Sequence, residues 1–241
     1  MKRYFVVTDV HSFFDEMQRA LETAGYDPAN PDHVFVSLGD LFDRGPKPVE
    51  CLAFVNAIPK ERKILIRGNH EDLLEDCLLR EKFNLHDFSN GTEGTVLALS
   101  GLSSTEFHQG DCHANMAALR ENKALRAYFD ALVDYAEVGN YVLVHGWIPK
   151  PLGEDGDWRD GFWHEARWLN GMQEWYAGRR VAGKTVLCGH FNASWGHAYI
   201  ENRGSEYGAN ADFSPFRAEG IVAMDACTAY SHRMNCVVFD A

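Results

Sequence analysis

The sequence predicts an α/β protein built around a largely parallel sheet, and three features of its 241 residues indicate this class. Apolar segments rich in β-branched and aromatic residues alternate with segments of helical periodicity over the first 85 residues. Strand-like segments resume after residue 140, and several of them end directly at a polar or histidine residue. Such alternation is typical of βαβ units, in which parallel strands are joined by helices that cover the sheet.

The individual elements follow from local signals in order along the chain. A strand at 4–8 precedes a helix that Ser12 would cap and that Gly25 would end. A second strand at 34–38 precedes a helix that is opened by prolines. The remaining predicted elements are a third helix at 71–83 and strands at 63–67, 141–144, 185–188, 220–224 and 235–239.

Residues from about 85 to 140 break this alternation. The segment contains a stretch rich in Gly, Ser and Thr and then one clear helix. That helix would place Leu125, Phe129, Leu132 and Ala136 on one face. Because strands resume afterwards and no linker or internal repeat occurs, we interpret the segment as a helical cap inserted into a single domain spanning 1–241.

Charge and composition restrict the partners of the protein. The net charge of −12 argues against binding of long nucleic acids or of an anionic membrane surface. A phosphorylated substrate remains compatible, because bound metal ions would supply positive charge locally. No segment approaches the ~20 apolar residues of a membrane span, and the apolar start is too short for a signal peptide. The six cysteines form no CxxC pair, so we expect reduced thiols and a cytoplasmic protein.

Polar and histidine side chains follow the predicted strands at the points where the strands end. These segments are Asp9-Val10-His11, Gly39-Asp40-Leu41-Phe42-Asp43-Arg44-Gly45, Arg67-Gly68-Asn69-His70-Glu71, His145 and Gly189-His190. The carboxyl ends of parallel strands form the crevice in which α/β proteins bind ligands. Each segment alone is a weak signal, since Gly-Asp and Gly-Asn pairs are also ordinary turns. Together they indicate a site of oxygen and imidazole ligands, which suits manganese, iron or zinc ions.

The segments GDLFDRG and IRGNHE resemble the motifs of the calcineurin-like metallophosphoesterases. The resemblance is to the branch that contains serine/threonine protein phosphatases and bacterial diadenosine tetraphosphatases, and it covers most of the chain, being weakest in 85–140. It implies a four-layer α-β-β-α sandwich, here with a helical insertion, and two divalent metal ions, with manganese expected first. The implied metal ligands are Asp9 and His11 for the first ion, Asp40 between both ions, and Asn69, His145 and His190 for the second ion.

The same resemblance implies a hydrolytic mechanism. Two cations would polarise the phosphoryl oxygens and activate a water molecule for in-line attack on phosphorus. His70 follows the ligand Asn69 directly, so it can face the leaving-group oxygen and donate a proton to it. The resemblance further implies that Asp43 orients His70 and favours its charged form.

Three arginines are candidate ligands of the substrate phosphate. Arg44 and Arg67 lie inside the two motifs and offer forked donors that suit phosphate oxygens. Arg167 is a third candidate, although an arginine between tryptophans is also typical of a packed surface residue.

Two positions depart from the family pattern. The segment Thr8-Asp9-Val10-His11-Ser12 lacks the glycines that usually flank the aspartate and histidine in the phosphatase branch, although both ligands remain. Asn192 stands where many metallophosphoesterases have the second histidine of a GHxH motif. Its amide oxygen could coordinate the first metal ion, His197 could take that place, or both could be ordinary polar residues.

The leading functional hypothesis is dimetal-dependent hydrolysis of phosphate monoesters, with a phosphorylated protein or a small molecule as substrate. The alternative among enzymes is a nucleotide hydrolase that acts on a dinucleoside polyphosphate or a cyclic nucleotide. A third alternative is a non-catalytic binding module on the same fold. All six tryptophans lie between residues 147 and 195, where they would form either a second core or an aromatic wall that stacks a nucleobase or a phosphotyrosine-like ring.

Overall fold

Two five-stranded sheets form the centre of the computed structural model, which describes residues 1–152 and 156–241. The strands are β1 Arg3–Val7, β2 His33–Ser37, β3 Lys63–Ile66, β4 Leu132–Val133, β5 Ala136–Val138, β6 Tyr141–Leu143, β7 Thr185–Asn192, β8 Phe216–Ala218, β9 Ile221–Asp225 and β10 Val237–Asp240. The helices are α1 Phe14–Ala24, α2 Pro48–Ala57, α3 Asn69–Arg80, α4 Leu85–Asn90, α5 Thr92–Ser100, α6 Ser104–Gln109, α7 Cys112–Arg120, α8 Lys123–Phe129, α9 Trp163–Ala166, α10 Gly171–Tyr176, α11 Ala193–Tyr199 and α12 Thr228–Ser231. None of these described helices is long and apolar enough to cross a membrane.

Both sheets have a parallel centre, and the first sheet has one antiparallel edge strand whereas the second has two. The first sheet has the order β10-β1-β2-β3-β4, in which β1 to β4 are parallel and β10 is antiparallel. The second sheet has the order β5-β6-β7-β9-β8, in which β6, β7 and β9 are parallel and the edge strands β5 and β8 are antiparallel. Because central parallel strands are covered on both faces, they appear in the sequence as continuous apolar runs.

Three apolar clusters fill the spaces between four layers. The middle cluster lies between the sheets and joins Val36 and Ile66 of the first sheet to Leu143 and Leu187 of the second. A second cluster packs the outer face of the first sheet against α1, α2, α3 and the helices of the insertion. A third cluster packs the outer face of the second sheet against α10 and α11 around the fully buried Trp147. The predicted four-layer α-β-β-α sandwich is therefore confirmed.

The helices that follow β1 and β3 are present, but their starts differ from the prediction, and the second helix ends at Arg80 instead of Phe83. Helix α1 ends at Gly25 in the left-handed conformation, as expected. Its N-cap is Phe13 without a side-chain hydrogen bond, and the buried Ser12 hydroxyl has no partner among the described residues, so the predicted Ser12 cap is wrong. Helix α3 starts at Asn69, two residues earlier than predicted, because Glu71 accepts a hydrogen bond from the backbone N–H of Gly68 and closes the first turn.

The insertion contains five helices, α4 to α8, rather than the single clear helix that was predicted. Gly91 and Gly101 adopt left-handed conformations that end α4 and α5, so the chain turns repeatedly within a short distance. The last helix ends at Phe129, and Leu132 and Ala136 belong to β4 and β5, so the predicted helical face is wrong beyond Phe129. The division of the chain into one domain stays a prediction.

Most of the tryptophans belong to the third apolar cluster. Trp147 is fully buried, and the cluster is flanked by the partly buried rings of Trp158, Trp163, Trp175 and Trp195. This packing supports the interpretation of the tryptophan-rich segment as a second core. Trp168 differs from the others, because it is 42% exposed.

Candidate metal centre and active site

Seven non-glycine residues near the ends of β1 and β2 and within β7 adopt the left-handed backbone region. They are Asp9, His11, Ser12, Asp40, Asp43, Arg44 and His190, with φ between 47° and 73°. Residues with a Cβ adopt this region at a cost of about 1–3 kcal/mol, and such strain concentrates at functional sites. Four of the seven are predicted metal ligands, so the strained backbone and the predicted site coincide.

Asp40 lies between two groups of side chains. Its Oδ2 is 3.7 Å from His11 Nε2, and its Oδ1 is 3.4 Å from His145 Nε2. Oδ1 also accepts a hydrogen bond of 2.9 Å from the backbone N–H of His70. Burial alone would raise the pKa of Asp40, but the charges of His145 and His70 hold it well below its ordinary value. Asp40 is therefore an ionised carboxylate with one oxygen directed to each group.

Asp9 and His11 form the first group. Asp9 Oδ1 is 4.0 Å from His11 Nε2, and Asp9 Oδ2 accepts a hydrogen bond of 2.9 Å from the backbone N–H of His190. His11 Nδ1 is 3.0 Å from the carbonyl oxygen of Phe42, so it carries the hydrogen and leaves Nε2 with a lone pair. Burial holds the pKa of His11 well below its ordinary value, which keeps the ring neutral.

Asn69, His145 and His190 form the second group. His145 Nδ1 donates to the carbonyl oxygen of Leu38 at 2.7 Å, and its Nε2 is 2.8 Å from Asn69 Oδ1. Burial lowers the pKa of His145, but the charge of Asp40 outweighs it and raises the pKa to about 10. Burial, and then the repulsion from His145, lower the pKa of His190 to about 3. His145 Nε2 thus faces oxygen acceptors, which favours a proton or a metal ion between them.

The donor set fits divalent metal ions. Both His11 and His145 direct Nδ1 to a backbone carbonyl, which is how proteins commonly orient metal-binding imidazoles. Ligand atoms of His11, Asp40 and His70 lie within 4.8 Å of one another, and so do those of Asp40, His145 and His190. Four predicted ligands, His11, Asp40, His145 and His190, therefore come together in space, and Asp9 and Asn69 lie beside them, at 4.0 Å from His11 and 2.8 Å from His145. Their coordination of metal ions stays a prediction.

His70 and Asp43 form a buried pair next to Asp40. His70 Nδ1 is 2.7 Å from Asp43 Oδ2, and the two side chains are 1% and 0% exposed. Burial would lower the pKa of His70, but the charge of Asp40 and the hydrogen bond with Asp43 raise it above its ordinary value. The Arg44 guanidinium lies 3.1 Å from His70 Nε2 and 2.9 Å from His11 Nε2. Arg44 and His70 therefore face the same space as the first group.

Four buried residues that sequence reasoning did not single out support this site. The Glu71 carboxylate accepts hydrogen bonds from the backbone N–H groups of Asp40, Leu41 and Gly68 and from the hydroxyl of Tyr128. Thr92 and Thr95 donate hydrogen bonds to Asp43. The position of Glu71, three residues after the N-cap, could have indicated its capping role. The other three residues lie in the insertion and carry no local signal.

Arg67 and Arg167 both donate to carboxylates. They share Asp72, at 3.2 Å from Arg67 Nη1 and at 2.7 Å from Arg167 Nη1. Arg67 also pairs with Glu75 at 2.6 Å, and Arg167 also pairs with Asp134. These ion pairs engage Arg67 Nη1 and both Nη groups of Arg167 without a substrate, and the buried Arg167 Nε has no hydrogen-bond partner among the described residues. Their role as phosphate ligands stays a prediction, and the geometry does not favour it.

Asn192 and His197 differ in their availability to a metal ion. Asn192 Nδ2 donates to Ser194 Oγ at 2.8 Å, so its Oδ1 is the side-chain atom left for coordination. His197 Nδ1 is 2.8 Å from Glu201, and His197 Nε2 is 3.0 Å from the carbonyl oxygen of Ser214. Both ring nitrogens of His197 are therefore engaged, which leaves Asn192 as the better candidate of the two.

The sandwich fold and the convergence of aspartate, asparagine and histidine at its strand ends define the class of metal-dependent phosphoesterases. The chain belongs to the calcineurin-like phosphoesterase family, whose model matches residues 2–219. The resemblance inferred from the motifs is thereby confirmed.

Curated relatives include enzymes named for two kinds of substrate. The asymmetrical bis(5'-nucleosyl)-tetraphosphatase PrpE of Bacillus subtilis is 36% identical over 110 residues, which are 43% of this chain and 44% of that protein. Serine/threonine-protein phosphatase 1 of Salmonella typhimurium is 30% identical over 105 residues, which are 44% of this chain and 46% of that protein. The symmetrical bis(5'-nucleosyl)-tetraphosphatase of Psychromonas ingrahamii is 43% identical over 67 residues, which are 28% of this chain and 23% of that protein. Each match spans less than half of either protein.

Solved structures share the fold over nearly the whole chain. A candidate diadenosine tetraphosphatase superposes with a TM-score of 0.58 and 15% identity, covering 99% of this chain and 89% of that chain. A serine/threonine phosphatase from Saccharomyces cerevisiae superposes with a TM-score of 0.52 and 14% identity, covering 100% of this chain and 80% of that chain. At these identities the likeness concerns the fold alone.

Proposed function

We propose that this protein hydrolyses phosphate monoesters at a centre of two divalent metal ions, with His70 as proton donor to the leaving group. The observation that carries the proposal is the buried pair of His70 and Asp43 beside Asp40. A binding module has no need of an imidazole whose pKa is raised by a carboxylate next to its metal ligands. We therefore favour a catalytic role over a scaffold.

The proposed metal ligands are Asp9 and His11 for one ion, Asn69, His145 and His190 for the other, and Asp40 for both, with Asn192 as a further candidate. The chemistry that two divalent ions supply in such a centre is neutralisation of charge on the phosphoryl oxygens and acidification of the attacking water. Manganese is proposed first, with iron and zinc as alternatives, because oxygen and imidazole ligands admit all three.

Arg44 and His70 have separate roles in this proposal. Arg44 would bind a phosphate oxygen, because its guanidinium lies beside the metal ligands and offers charged donors. His70 would hold a proton on Nε2 while Nδ1 stays bonded to Asp43. As the bond between phosphorus and the leaving oxygen breaks, the Nε2 proton would move to that oxygen.

Trp168 supports a second candidate function, the hydrolysis of a nucleotide such as a dinucleoside polyphosphate. Its ring centroid lies 5.9 Å from that of His190, and the residue is 42% exposed. An exposed indole next to a metal ligand could stack a nucleobase. Two of the relatives described above are named bis(5'-nucleosyl)-tetraphosphatases.

One assay separates these functions. Purified protein supplied with Mn²⁺ is tested on p-nitrophenyl phosphate, a phosphoserine peptide and diadenosine tetraphosphate, with EDTA and the Asp40→Asn variant as controls. We expect phosphate release from both monoesters. Turnover of the dinucleotide alone, weakened selectively by Trp168→Ala, would favour the second candidate. Full metal occupancy without turnover of any substrate would reject both in favour of a binding module.

A further inference from the structure

We propose that Thr92 and Thr95, in the first turn of α5, are positioning residues that hold Asp43 and, through it, the proton donor His70. This inference rests on the proposed role of His70. It gives the insertion a part in the active site, since α5 belongs to the five helices between 85 and 129.

The two threonines complete the hydrogen bonding of Asp43. Thr92 Oγ1 donates to Asp43 Oδ2 at 2.8 Å, and Thr95 Oγ1 donates to Asp43 Oδ1 at 2.7 Å. The backbone N–H of Asp43 in turn donates to Thr95 Oγ1 at 3.0 Å. With His70 Nδ1 at 2.7 Å from Oδ2, both carboxylate oxygens have partners. All four side chains are buried, so water cannot readily replace a missing donor.

The backbone around Asp43 also depends on α5. Asp43 and Arg44 have φ of 73° and 64°, a conformation that residues with a Cβ adopt only when neighbouring structure enforces it. Gly91, which precedes α5, lies so close to this turn that a Cβ on it would be 2.4 Å from the backbone nitrogen of Arg44. The start of α5 therefore packs directly on the turn that carries Asp43.

A fixed Asp43 determines what His70 can do. The carboxylate keeps the hydrogen on Nδ1 and the ring in one orientation, so Nε2 faces the reacting group. Without the threonine hydroxyls, the carboxylate is free to rotate away from His70. Protonation of a poor leaving group should then suffer, whereas metal binding and attack by water should not.

The test compares Thr92→Val and Thr95→Val with the hydroxyl-retaining variants Thr92→Ser and Thr95→Ser. Ser100→Ala is the matched control. It removes a hydroxyl group from the same helix, and that hydroxyl forms hydrogen bonds only with the backbone of Leu97 and Leu102, within the insertion. Metal content is measured for each variant, and kcat is measured on a phosphoserine peptide and on p-nitrophenyl phosphate. General acids contribute roughly 10²–10⁴-fold, so we expect the valine variants to lose about tenfold or more on the peptide and little on the aryl ester.

The proposal is supported if all variants retain their metal ions and if the serine variants and Ser100→Ala have wild-type rates. It also requires that the activity losses of the valine variants are not additive with the loss caused by Asp43→Asn. Residues that act through Asp43 should lose little further activity once that carboxylate is gone. Equal losses on both esters, or additive losses with Asp43→Asn, would overturn the positioning role. Wild-type activity of both valine variants would overturn it as well.

The Asp43→Asn variant alone separates this inference from the proposed function. If its losses depend on the leaving group while those of the valine variants do not, only the positioning role fails. If its losses are equal on both esters, the role of the pair of His70 and Asp43 as proton donor fails first, and the positioning role fails with it.

Discussion

At the scale of single residues, Asp40 is the carboxylate whose two oxygens face His11 and His145 on opposite sides. Asp40→Asn keeps the shape of the side chain but replaces an anionic oxygen by an amide NH₂ group. We therefore expect loss of metal from both positions and loss of turnover, measured by elemental analysis and by phosphate release. The exposed Asp32→Asn is the control variant. Two ions per chain in Asp40→Asn would contradict its role as shared ligand.

His70 can be separated from the metal ligands by the dependence of activity on the leaving group. His70→Asn should keep both ions and lose roughly 10²–10⁴-fold on a phosphoserine peptide, the usual contribution of a general acid. The loss should shrink on p-nitrophenyl phosphate, because nitrophenolate departs with little protonic help. Equal losses on both substrates, with metals in place, would mean that His70 positions the phosphate or the nucleophile instead.

Arg44 and Arg67 carry the same chemistry but have different neighbours. Arg44 lies beside His11 and His70, so Arg44→Ala should lower kcat/KM by about 10²-fold, or about 2.7 kcal/mol, as expected for loss of a charge-stabilising donor. Arg67 is held by Asp72 and Glu75, so Arg67→Ala should mainly lower stability by up to about 1 kcal/mol. Steady-state kinetics and urea unfolding measure both effects. If Arg67→Ala lowers kcat/KM as much as Arg44→Ala does and leaves stability unchanged, Arg67 is a phosphate ligand after all.

At the scale of elements, the start of α3 is the junction between the end of β2 and the insertion. Glu71 accepts hydrogen bonds from the backbone of Asp40 and Leu41, which follow β2, and from Tyr128 in α8. One carboxylate therefore fixes the loop that carries the shared ligand and anchors the last helix of the insertion.

Removal of the Tyr128 hydroxyl tests this junction. Tyr128→Phe should lower the free energy of unfolding by about 1–3 kcal/mol, because a buried hydrogen bond to Glu71 is lost. Urea denaturation followed by circular dichroism measures the change. Tyr199→Phe is the control, since Tyr199 is 61% exposed. An unchanged midpoint for Tyr128→Phe would show that the insertion does not depend on this contact.

At the scale of the whole molecule, buried carboxylates around the site couple metal binding to stability. Asp9, Asp40 and Asp225 are all buried near one another. Burial, and then repulsion from the charge of Asp9, raise the pKa of Asp225 well above its ordinary value. Divalent ions should relieve this repulsion and stabilise the fold by about 2.7 kcal/mol at a hundred times Kd. We expect Mn²⁺ to raise Tm by several degrees over EDTA-treated protein in differential scanning calorimetry. An equal rise in Asp40→Asn would show that the ions act elsewhere.

Local features of the sequence were sufficient to predict the α/β class and the cluster of candidate ligands. Asp9, Asp40, Asn69 and His145 each follow an apolar run, and parallel strands deliver their carboxyl ends to one crevice. The motifs GDLFDRG and IRGNHE then indicated the family, which the match over residues 2–219 confirms. These properties depend on short segments, whose residue order already determines where a strand ends and which side chain follows it.

Only the tertiary structure decided which residues surround that cluster. Thr92 and Thr95 meet Asp43 across 49 and 52 residues of chain, and nothing local in the insertion indicates the contact. Arg44 and Arg67 look equivalent in sequence, but Arg67 pairs with Asp72 and Glu75 of the helix that follows it. Arg44 instead lies beside His11 and His70, which are 33 and 26 residues away along the chain. The contacts of Asp43 and Arg44 join side chains distant in sequence, because the hydrogen bonds and charges that define a buried site depend on distances that only the complete fold establishes.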